Sequence, residues 1–423
     1  MRLISGPDTL EIPDAGGALR VHLYGAPAEG QAAAGRAVLR EVRRRRLEVA
    51  PRAWDLLSIA LSAVSADFAE LRDSSPDGWT REFELDVAVT DPAFWNGQAD
   101  ALSATLAFLT TDRWAFRFHE GGLPPHVPED PVHPEEDSVV LLSGGLDSLV
   151  GALDLAASGR APLAVSQTVR GDASKQEEFA SMIGGGLTHL QLNHTAISPG
   201  VDEPSQRARS LIFIAYGVLA ATALGRYHDG GVVPLFVCEN GFIAINAPLT
   251  GGRLGSLSTR TAHPEFLGRL QGVLDAADLR VRIENPYGSA TKGEMLGDCQ
   301  DQSLLAREAS RSTSCGRFQR HGYTHCGRCV PCQVRRAAFL AWGEQDDTEY
   351  VFEAIGQQDG DHARFGDVRA VALALATVRA EGLDTWLGPS LSSPMITNRE
   401  SLRAMVERGL EELRALHESY GVT

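Results

Sequence analysis

The apolar positions of this chain change rhythm along its length. Near the start they alternate. Leu19–Tyr24 and Phe83–Val89 set apolar and polar residues on opposite faces, which predicts strands with one face toward water. Within Ala53–Leu71 the residues Leu56, Leu57, Ala60, Leu61 and Val64 recur at helical spacing, and Gln98–Leu109 predicts a further helix. Beyond residue 137 the pattern becomes short continuous apolar runs: Ser138–Leu142, Ala161–Ser166 and Val232–Cys238. Helical stretches lie between them, at about Asp147–Ala157 and Gln206–Leu224. Apolar strands alternating with helices predict an α/β fold, a parallel sheet covered on both faces. From about Arg364 the chain reads as helical, with Leu402, Met405, Leu410, Leu413 and Leu416 on one stripe expected to pack against the rest of the fold.

One stretch interrupts these rhythms. Gly121–Asp137 is rich in proline and acidic residues and continues neither a helix nor a central strand. It reads as a linker that few contacts cross. The expected organisation is an N-terminal α+β module over residues 1–130, an α/β domain over residues 131–363 and a helical C-terminal extension over residues 364–423.

Composition narrows the function classes. The 423 residues carry a formal charge of −16 at pH 7, which disfavours binding to a phosphate backbone, so no direct nucleic-acid contact is expected. The arginine run Arg43–Arg46, flanked by Glu41 and Glu48, reads as a solvated face. No apolar run reaches the roughly 18 residues of a membrane span, and Met1–Gly30 lacks a basic segment followed by an apolar one. A cytoplasmic protein is expected. Six cysteines are too few for a disulfide scaffold, and four of them cluster.

Ser143, Gly144, Gly145, Leu146, Asp147 and Ser148 lie between the run Ser138–Leu142 and a predicted helix. Two glycines let the backbone approach an anion, and the first turn of the helix offers unpaired N–H groups and a positive dipole end. The two serines add hydroxyls. Asp147 would repel phosphate unless a cation stood between them, which points to Mg2+. The bland alternative is a tight Gly-Gly turn with Asp and Ser capping the helix.

Cys315, Cys326, Cys329 and Cys332 have the spacing C-x10-C-x2-C-x2-C. Two-residue gaps aim successive thiolates at one centre, Gly327 and Pro331 suit a tight turn, and a helix over Gln333–Trp342 would anchor it. Four thiolates suit tetrahedral Zn2+ in a closed, structural site. An iron–sulfur cluster and redox thiols are the alternatives. His321 and His325 fall outside a shell already filled, and Cys238 and Cys299 read as inert buried thiols.

The hexad matches the SGGxDS signature of PP-loop ATP pyrophosphatases, and no G-x-x-x-x-G-K-[ST] motif is present. Hexad and cysteine tetrad together resemble the QueC family of 7-cyano-7-deazaguanine synthases. Pro286, Lys292 and Glu294 match that family's "P-(five residues)-K-x-E" stretch, and Ser205–Ile214 is similar to its "P-G-R-N" helix start. The resemblance spans roughly Val139–Trp342. It implies the PP-loop, adenine nucleotide alpha hydrolase-like fold with a zinc-binding insert. It also implies ATP, Mg2+ and Zn2+ as cofactors, catalytic roles for Ser143, Asp147, Ser148 and Lys292, and adenylation of a 7-carboxy-7-deazaguanine-like carboxylate. The chain departs from the family by about 135 residues in front and about 75 behind, and by the segment Cys238–Phe266. Large QueC-like proteins of this build resemble the QueC-like members of Qat anti-phage defence systems, which would add a protein partner or protein substrate from the same operon.

After the run Val232–Cys238 come Asn240, Asn246, Arg253, Ser258, Thr259, Arg260, Thr261 and His263, many donors with little hydrophobic periodicity. The end of a parallel strand is where such sheets bind ligands, so Asn240, Asn246, Arg260 and His263 are candidates for binding a polar carboxylated base. An ordinary surface loop is the alternative. Three functions compete: a defence-associated ligase of the deazaguanine type, a housekeeping 7-cyano-7-deazaguanine synthase, and a nucleotide-binding sensor or scaffold without catalysis.

Overall fold

The computed structural model describes residues 1–10, 16–169, 171–250, 260–356 and 366–422. Arg253, Ser258 and Thr259 of the polar segment, and the expected domain boundary at residues 363–364, lie outside the described residues. Ten strands form two five-stranded sheets, parallel at every pairing between them. The first comprises β1 (Arg2–Pro7), β2 (Leu19–Leu23), β3 (Ala32–Ala34), β4 (Glu82–Ala88) and β5 (Arg113–His119), in the order β3-β2-β1-β4-β5. The second comprises β6 (Ser138–Leu141), β7 (Pro162–Gln167), β8 (His189–Leu192), β9 (Val233–Phe236) and β10 (Val281–Glu284), in the order β10-β9-β6-β7-β8. Both wind the same way, two strands outward from the first and then two on its other side.

The expectation of an α+β N-terminal module is therefore corrected: this region is α/β, with an all-parallel sheet. The misleading signal came from β4 and β5. Glu82 and Glu84 of β4, and Arg113 and Ala115 of β5, are exposed while Phe83, Leu85 and Trp114 are buried. One uncovered face gives the alternation usual in antiparallel sheets.

The linker is not lightly attached. The helix Pro51–Ala69 lies on the first sheet and against the helix Arg209–Ala223, which lies on the second. One continuous apolar core runs from Leu3 and Val21 through Leu57, Leu61, Ile212 and Leu219 to Val139 and Leu235. The helix Pro51–Ala69 shows an apolar stripe in sequence, yet Ala53–Asp67 is buried on every side. Ser58, Ser62 and Ser65 make this possible, because each hydroxyl donates to the carbonyl four residues earlier, of Trp54, Ser58 and Leu61, at 2.8–3.1 Å.

At the carboxyl end of that helix Asp67 joins the layers. Its Oδ2 accepts the backbone N–H groups of Arg207 (2.6 Å) and Ala208 (2.7 Å), just ahead of the helix Arg209–Ala223. Its Oδ1 accepts from Arg81, and the Arg72 and Arg81 guanidinium groups also share Asp112, at 2.9 and 2.8 Å. All four side chains are buried. The linker itself is fastened on either side of His133. Val132 N–H donates to Arg46 O (2.9 Å) and Gly225 N–H to Pro134 O (2.9 Å). The arginine run is not simply solvated: Arg46 pairs with Asp130, and Arg45 bonds both Glu41 and the carbonyl of His189.

At the other end of the chain, the helix Arg399–Ser419 buries Leu402, Met405, Leu410, Leu413 and Leu416. It packs on the helices Val330–Trp342 and Lys292–Asp298. Thr291 donates to Glu412, Arg408 pairs with Glu294, and His417 meets Gln333 at 2.8 Å.

The two sheets differ at the point where their winding reverses. In the first, between the carboxyl ends of β1 and β4, Leu10 and Gly121–Gly122 fill the space. A Cβ on Gly122 would stand 2.5 Å from the backbone of Val89, and one on Gly121 2.7 Å from Leu10. In the second, the corresponding space between β6 and β9 is open.

The shared core makes the N-terminal layer structurally necessary. Deleting Met1–Asp130 would bare the helix Arg209–Ala223 along its length, so the remainder is expected to be insoluble or to lose cooperative thermal unfolding by circular dichroism. A soluble truncation that melts cooperatively would show that the second sheet is self-sufficient.

Candidate functional site

In a doubly wound sheet the crevice forms beyond the strand ends where the order reverses. Here those ends deliver Ser143–Ser148 after β6, and Glu239 and Asn240 after β9. The hexad enters the helix Leu146–Ala157 through Gly144, whose φ of +86° is one that residues with a Cβ rarely adopt. Thr313 N–H donates to Gly144 O at 3.0 Å and pins the turn. The serines brace each other. Ser148 Oγ donates to Gly145 O (2.9 Å) and accepts from Ser143 N–H (3.2 Å), and Ser143 Oγ accepts from Gly145 N–H (3.2 Å). Gly145 precedes the helix with no capping side chain, so the first-turn N–H groups of Leu146 and Asp147 border the open crevice.

Asp147 is the centre of the polar contacts. Its Oδ1 is in a buried ion pair with the Lys292 ammonium, and its Oδ2 accepts from Asn240 Nδ2 at 2.7 Å and Asn240 N–H at 3.2 Å. Asn240 Nδ2 also reaches Glu239 Oε1 at 3.2 Å. Burial opposes ionisation of Asp147. The Lys292 charge, with hydrogen bonds from Lys292 and Asn240, outweighs it and holds the carboxyl well below the usual carboxylate range. The cation beside Asp147 in this structure is thus supplied by the chain itself. Lys292 opens the helix Lys292–Asp298, held by a capping box in which Thr291 Oγ1 accepts from Glu294 N–H (3.1 Å) and Glu294 accepts from Thr291 N–H (2.8 Å).

The crevice has two connected hollows. One, of about 290 Å³, is lined by the hexad apart from Gly144, and by Glu239, Lys292 and Thr313. The other, of about 440 Å³, shares Ser143, Thr313, Cys315 and Gly316 with it and adds Arg209, Phe213, Phe318 and Arg320. Lys175 sits at the border, donating to Thr313 Oγ1 (2.6 Å) and Asp172 (3.3 Å), with its pKa lowered chiefly by burial. Cys238 also lines the first hollow; burial and the neighbouring carboxylates push its thiol up, which leaves it a neutral, unreactive group.

Cys315, Cys326, Cys329 and Cys332 converge at the wall of the same crevice, all buried. The Sγ pairs Cys315–Cys329 and Cys326–Cys332 are each 3.9 Å apart, too far for disulfides. A tetrahedral ion with metal–sulfur bonds of about 2.3 Å holds its sulfurs about 3.8 Å apart, so the cage fits one zinc-like ion. An iron–sulfur cluster, with several atoms between its thiolates, would hold them farther apart. N–H groups of Arg317, Cys326 and Cys329 donate to the sulfurs at 3.2–3.3 Å and favour thiolate. The turn is carried by Gly327, at φ +80°; Pro331, expected in it, lies instead in the first turn of the helix Val330–Trp342, which begins earlier than its apolar pattern implied. His325 accepts from Ser314 N–H at 3.1 Å and braces the cage from outside.

In sequence the chain is similar to 7-cyano-7-deazaguanine synthases. That of Citrifermentans bemidjiense is 25% identical over 232 residues, covering 51% of this chain and 98% of that protein. That of Agrobacterium fabrum is 26% identical over 242 residues, covering 50% of this chain and 91% of that protein. That of Methanocaldococcus jannaschii is 34% identical over 90 residues, covering 21% of this chain and 39% of that protein. The relatives support a QueC-like relationship for half of the chain. No family model matches it, and no solved structure does.

The structure separates the expected base-binding residues. Asn240 is buried behind the crevice wall, bonded to Asp147, and its side chain also caps the helix Gly241–Ala244 by accepting from Ile243 N–H (3.0 Å). Asn246, Arg260 and His263 line a different hollow with Phe108 and Ser393. Arg260 lies over the Phe108 ring, 4.6 Å from its centre, and bonds the Phe108 carbonyl, while His263 caps the helix Pro264–Ala276 through Glu265 N–H (3.1 Å). They are therefore not partners of the hexad: the segment turns away after Asn240. Burial lowers the His263 pKa to about 4, as suits a neutral cap. Sequence reading passed over Glu239, Thr313, Lys175 and Asp172. Glu239 adjoins a residue that was singled out, and Thr313 lies two residues before the first cysteine, but neither belongs to a spacing pattern.

Two outcomes follow from this geometry. Lys292→Met leaves Asp147 buried without its cation, a loss of about 3–5 kcal/mol. A depressed carboxyl pKa adds stability that is present above the unfolded value and lost only as pH falls through the folded one. In the variant that depression is gone, so the stability deficit against wild type, measured by denaturant unfolding, should shrink as the medium is acidified toward the ordinary carboxylate range. A deficit independent of pH would show that the pair is not what stabilises Asp147. Cys329→Ser is expected to release the bound ion and lower the unfolding midpoint sharply, because ion binding is coupled to folding; metal analysis and a melt together check it, and an unchanged melt would refute it.

Proposed function

We propose that this protein uses ATP to activate the carboxylate of a 7-carboxy-7-deazaguanine-like base as its adenylate and passes the acyl group to an amine. The observation that carries this reading is the buried Lys292–Asp147 pair set beside an uncapped helix start at an open switch point. Such a site offers N–H donors and a cation to a polyphosphate. Asp147 and Glu239 give hard carboxylate oxygens able to hold Mg2+, which would neutralise charge on the departing pyrophosphate. The cysteine cage would hold Zn2+ as a structural ion and fix Thr313 and Cys315 at the border of the two hollows.

In this reading the ATP phosphates lie along Ser143–Ser148 and the acceptor carboxylate comes from the second hollow, whose Arg209 and Arg320 suit an anion and whose Phe213 and Phe318 suit a planar base. A carboxylate oxygen attacks the α-phosphorus, the bond to the bridging oxygen breaks, and pyrophosphate leaves. The amine nitrogen then attacks the acyl carbon, loses a proton, and AMP departs with the former carboxylate oxygen. Lys292 serves by moving its charge from Asp147 toward the phosphates.

The relatives' printed names favour the housekeeping product, a 7-cyano-7-deazaguanine: with ammonia as the amine the transfer gives the amide, whose oxygen then attacks a second ATP with release of pyrophosphate, and departure of AMP with loss of the nitrogen's two protons leaves the nitrile. A second reading rests on the length of the chain, about half of which the alignments with those relatives leave uncovered. That added surface suits a macromolecular amine or partner, as an anti-phage defence system of the Qat kind would supply.

Asp147→Asn should reduce pyrophosphate release, assayed with ATP and 7-carboxy-7-deazaguanine, by at least about 100-fold; it also strands the buried Lys292 ammonium, so its unfolding midpoint falls, and the assay is run below that midpoint, where circular dichroism shows the variant folded. Wild-type-like turnover would reduce the hexad to a turn. Mass spectrometry of the product with ammonia and with protein amines separates the two readings.

A further inference from the structure

Away from the crevice, three side chains from three separate segments meet where the linker is clasped between the layers. Glu48 follows the helix Arg36–Arg44, His133 lies in the linker, and His228 ends the helix Gly225–His228. Their potential ligand atoms all lie within 4.8 Å of one another. His133 Nε2 is 2.9 Å from Glu48 Oε2, and the His133 and His228 rings stack with centres 3.8 Å apart. We infer that Glu48, His133 and His228 form a binding site for a divalent transition ion of the zinc type, distinct from the cysteine cage, that staples the linker between the two layers.

The chemistry suits such an ion. Two neutral imidazoles and one carboxylate are a borderline-soft nitrogen and oxygen set with room for water as a fourth ligand, a combination that prefers zinc-type ions over magnesium or calcium. The backbone holds the three together without any ion. Leu47 bridges Val132 in parallel register on one side of His133, and Gly225 N–H reaches Pro134 O on the other. Little ordering remains for an ion to impose, which favours affinity. The stacked rings have nearly parallel planes, 17° apart, so their nitrogens do not yet converge on one point. His228 is exposed and, on turning, exchanges the contact of its Nε2 with Glu48 O (3.2 Å) for the ion, as His133 exchanges its contact with Glu48 Oε2.

The experiment uses the whole protein with its cysteine cage filled. Equilibrium dialysis against Zn2+ should give one further equivalent per chain at micromolar affinity. Co2+ added to the same zinc-filled protein should give weak visible bands without the intense near-ultraviolet absorption of cobalt–thiolate. His228→Ala, at an exposed position that should not disturb folding, is expected to weaken the extra equivalent at least about tenfold, as is His133→Ala. His119→Ala, elsewhere on the surface, should leave it unchanged. Added Zn2+ should raise the melting temperature of wild type and not of His228→Ala. No extra equivalent in wild type, or an extra equivalent kept at full affinity by His228→Ala, overturns the proposal.

Discussion

A single carboxylate, that of Asp67, sets the relation between the two halves of the chain. It lies at the end of a helix belonging to the first sheet and accepts the backbone N–H groups that begin the main helix of the second. Burial pushes its pKa up, against the charges of Arg81 and Arg72, so the group is tolerable only with every lone pair used. The consequence travels directly. The start of that second helix carries Arg209 into the hollow beside the hexad, so a residue more than seventy positions before the hexad fixes the wall of the crevice. The N-terminal layer is in this sense part of the site, although it contributes no side chain to the first hollow.

How much of this was legible in the sequence differs by kind of feature. Local patterns spoke clearly: the hexad falls between a buried strand and a helix, and the four cysteines meet. Both depend on residues a few positions apart, whose geometry is set by the turn between them. The all-parallel character of the first sheet was hidden, because β4 and β5 leave one face bare and β3 is only Ala32–Ala34. The burial of Ser58, Ser62 and Ser65 was hidden too, since a serine satisfied by its own helix looks in sequence like one facing water. Arg260 and His263 misled for a related reason. Arginine and histidine near a strand end read as ligand groups, yet here one stacks on Phe108 and the other caps a helix.

The pairing of Lys292 with Asp147 could be named from sequence only as two separate residues, 145 positions apart. Its meaning is electrostatic. A bare carboxylate placed beside the free N–H groups of a helix start would repel any anion drawn to them. With the lysine against it, that one charge is balanced, and the lysine can lend its charge elsewhere while Asn240 continues to hold the carboxylate in place. The chain thus keeps a mobile positive charge and a fixed negative one at the same spot, which a rigid arginine fork would do less well.

The closed switch point of the first sheet bears on valency. Both sheets are wound to present a crevice, but in the first the chain's own Leu10 and Gly121–Gly122 occupy it. An occupant tethered by its own backbone competes at an effective concentration that no dissolved molecule of modest affinity can match. A protein with two equivalent windings is thereby univalent at its switch points. Saturation of the open one should follow a simple hyperbola, since among the described residues no second open switch point stands to cooperate with it or to dilute its selectivity.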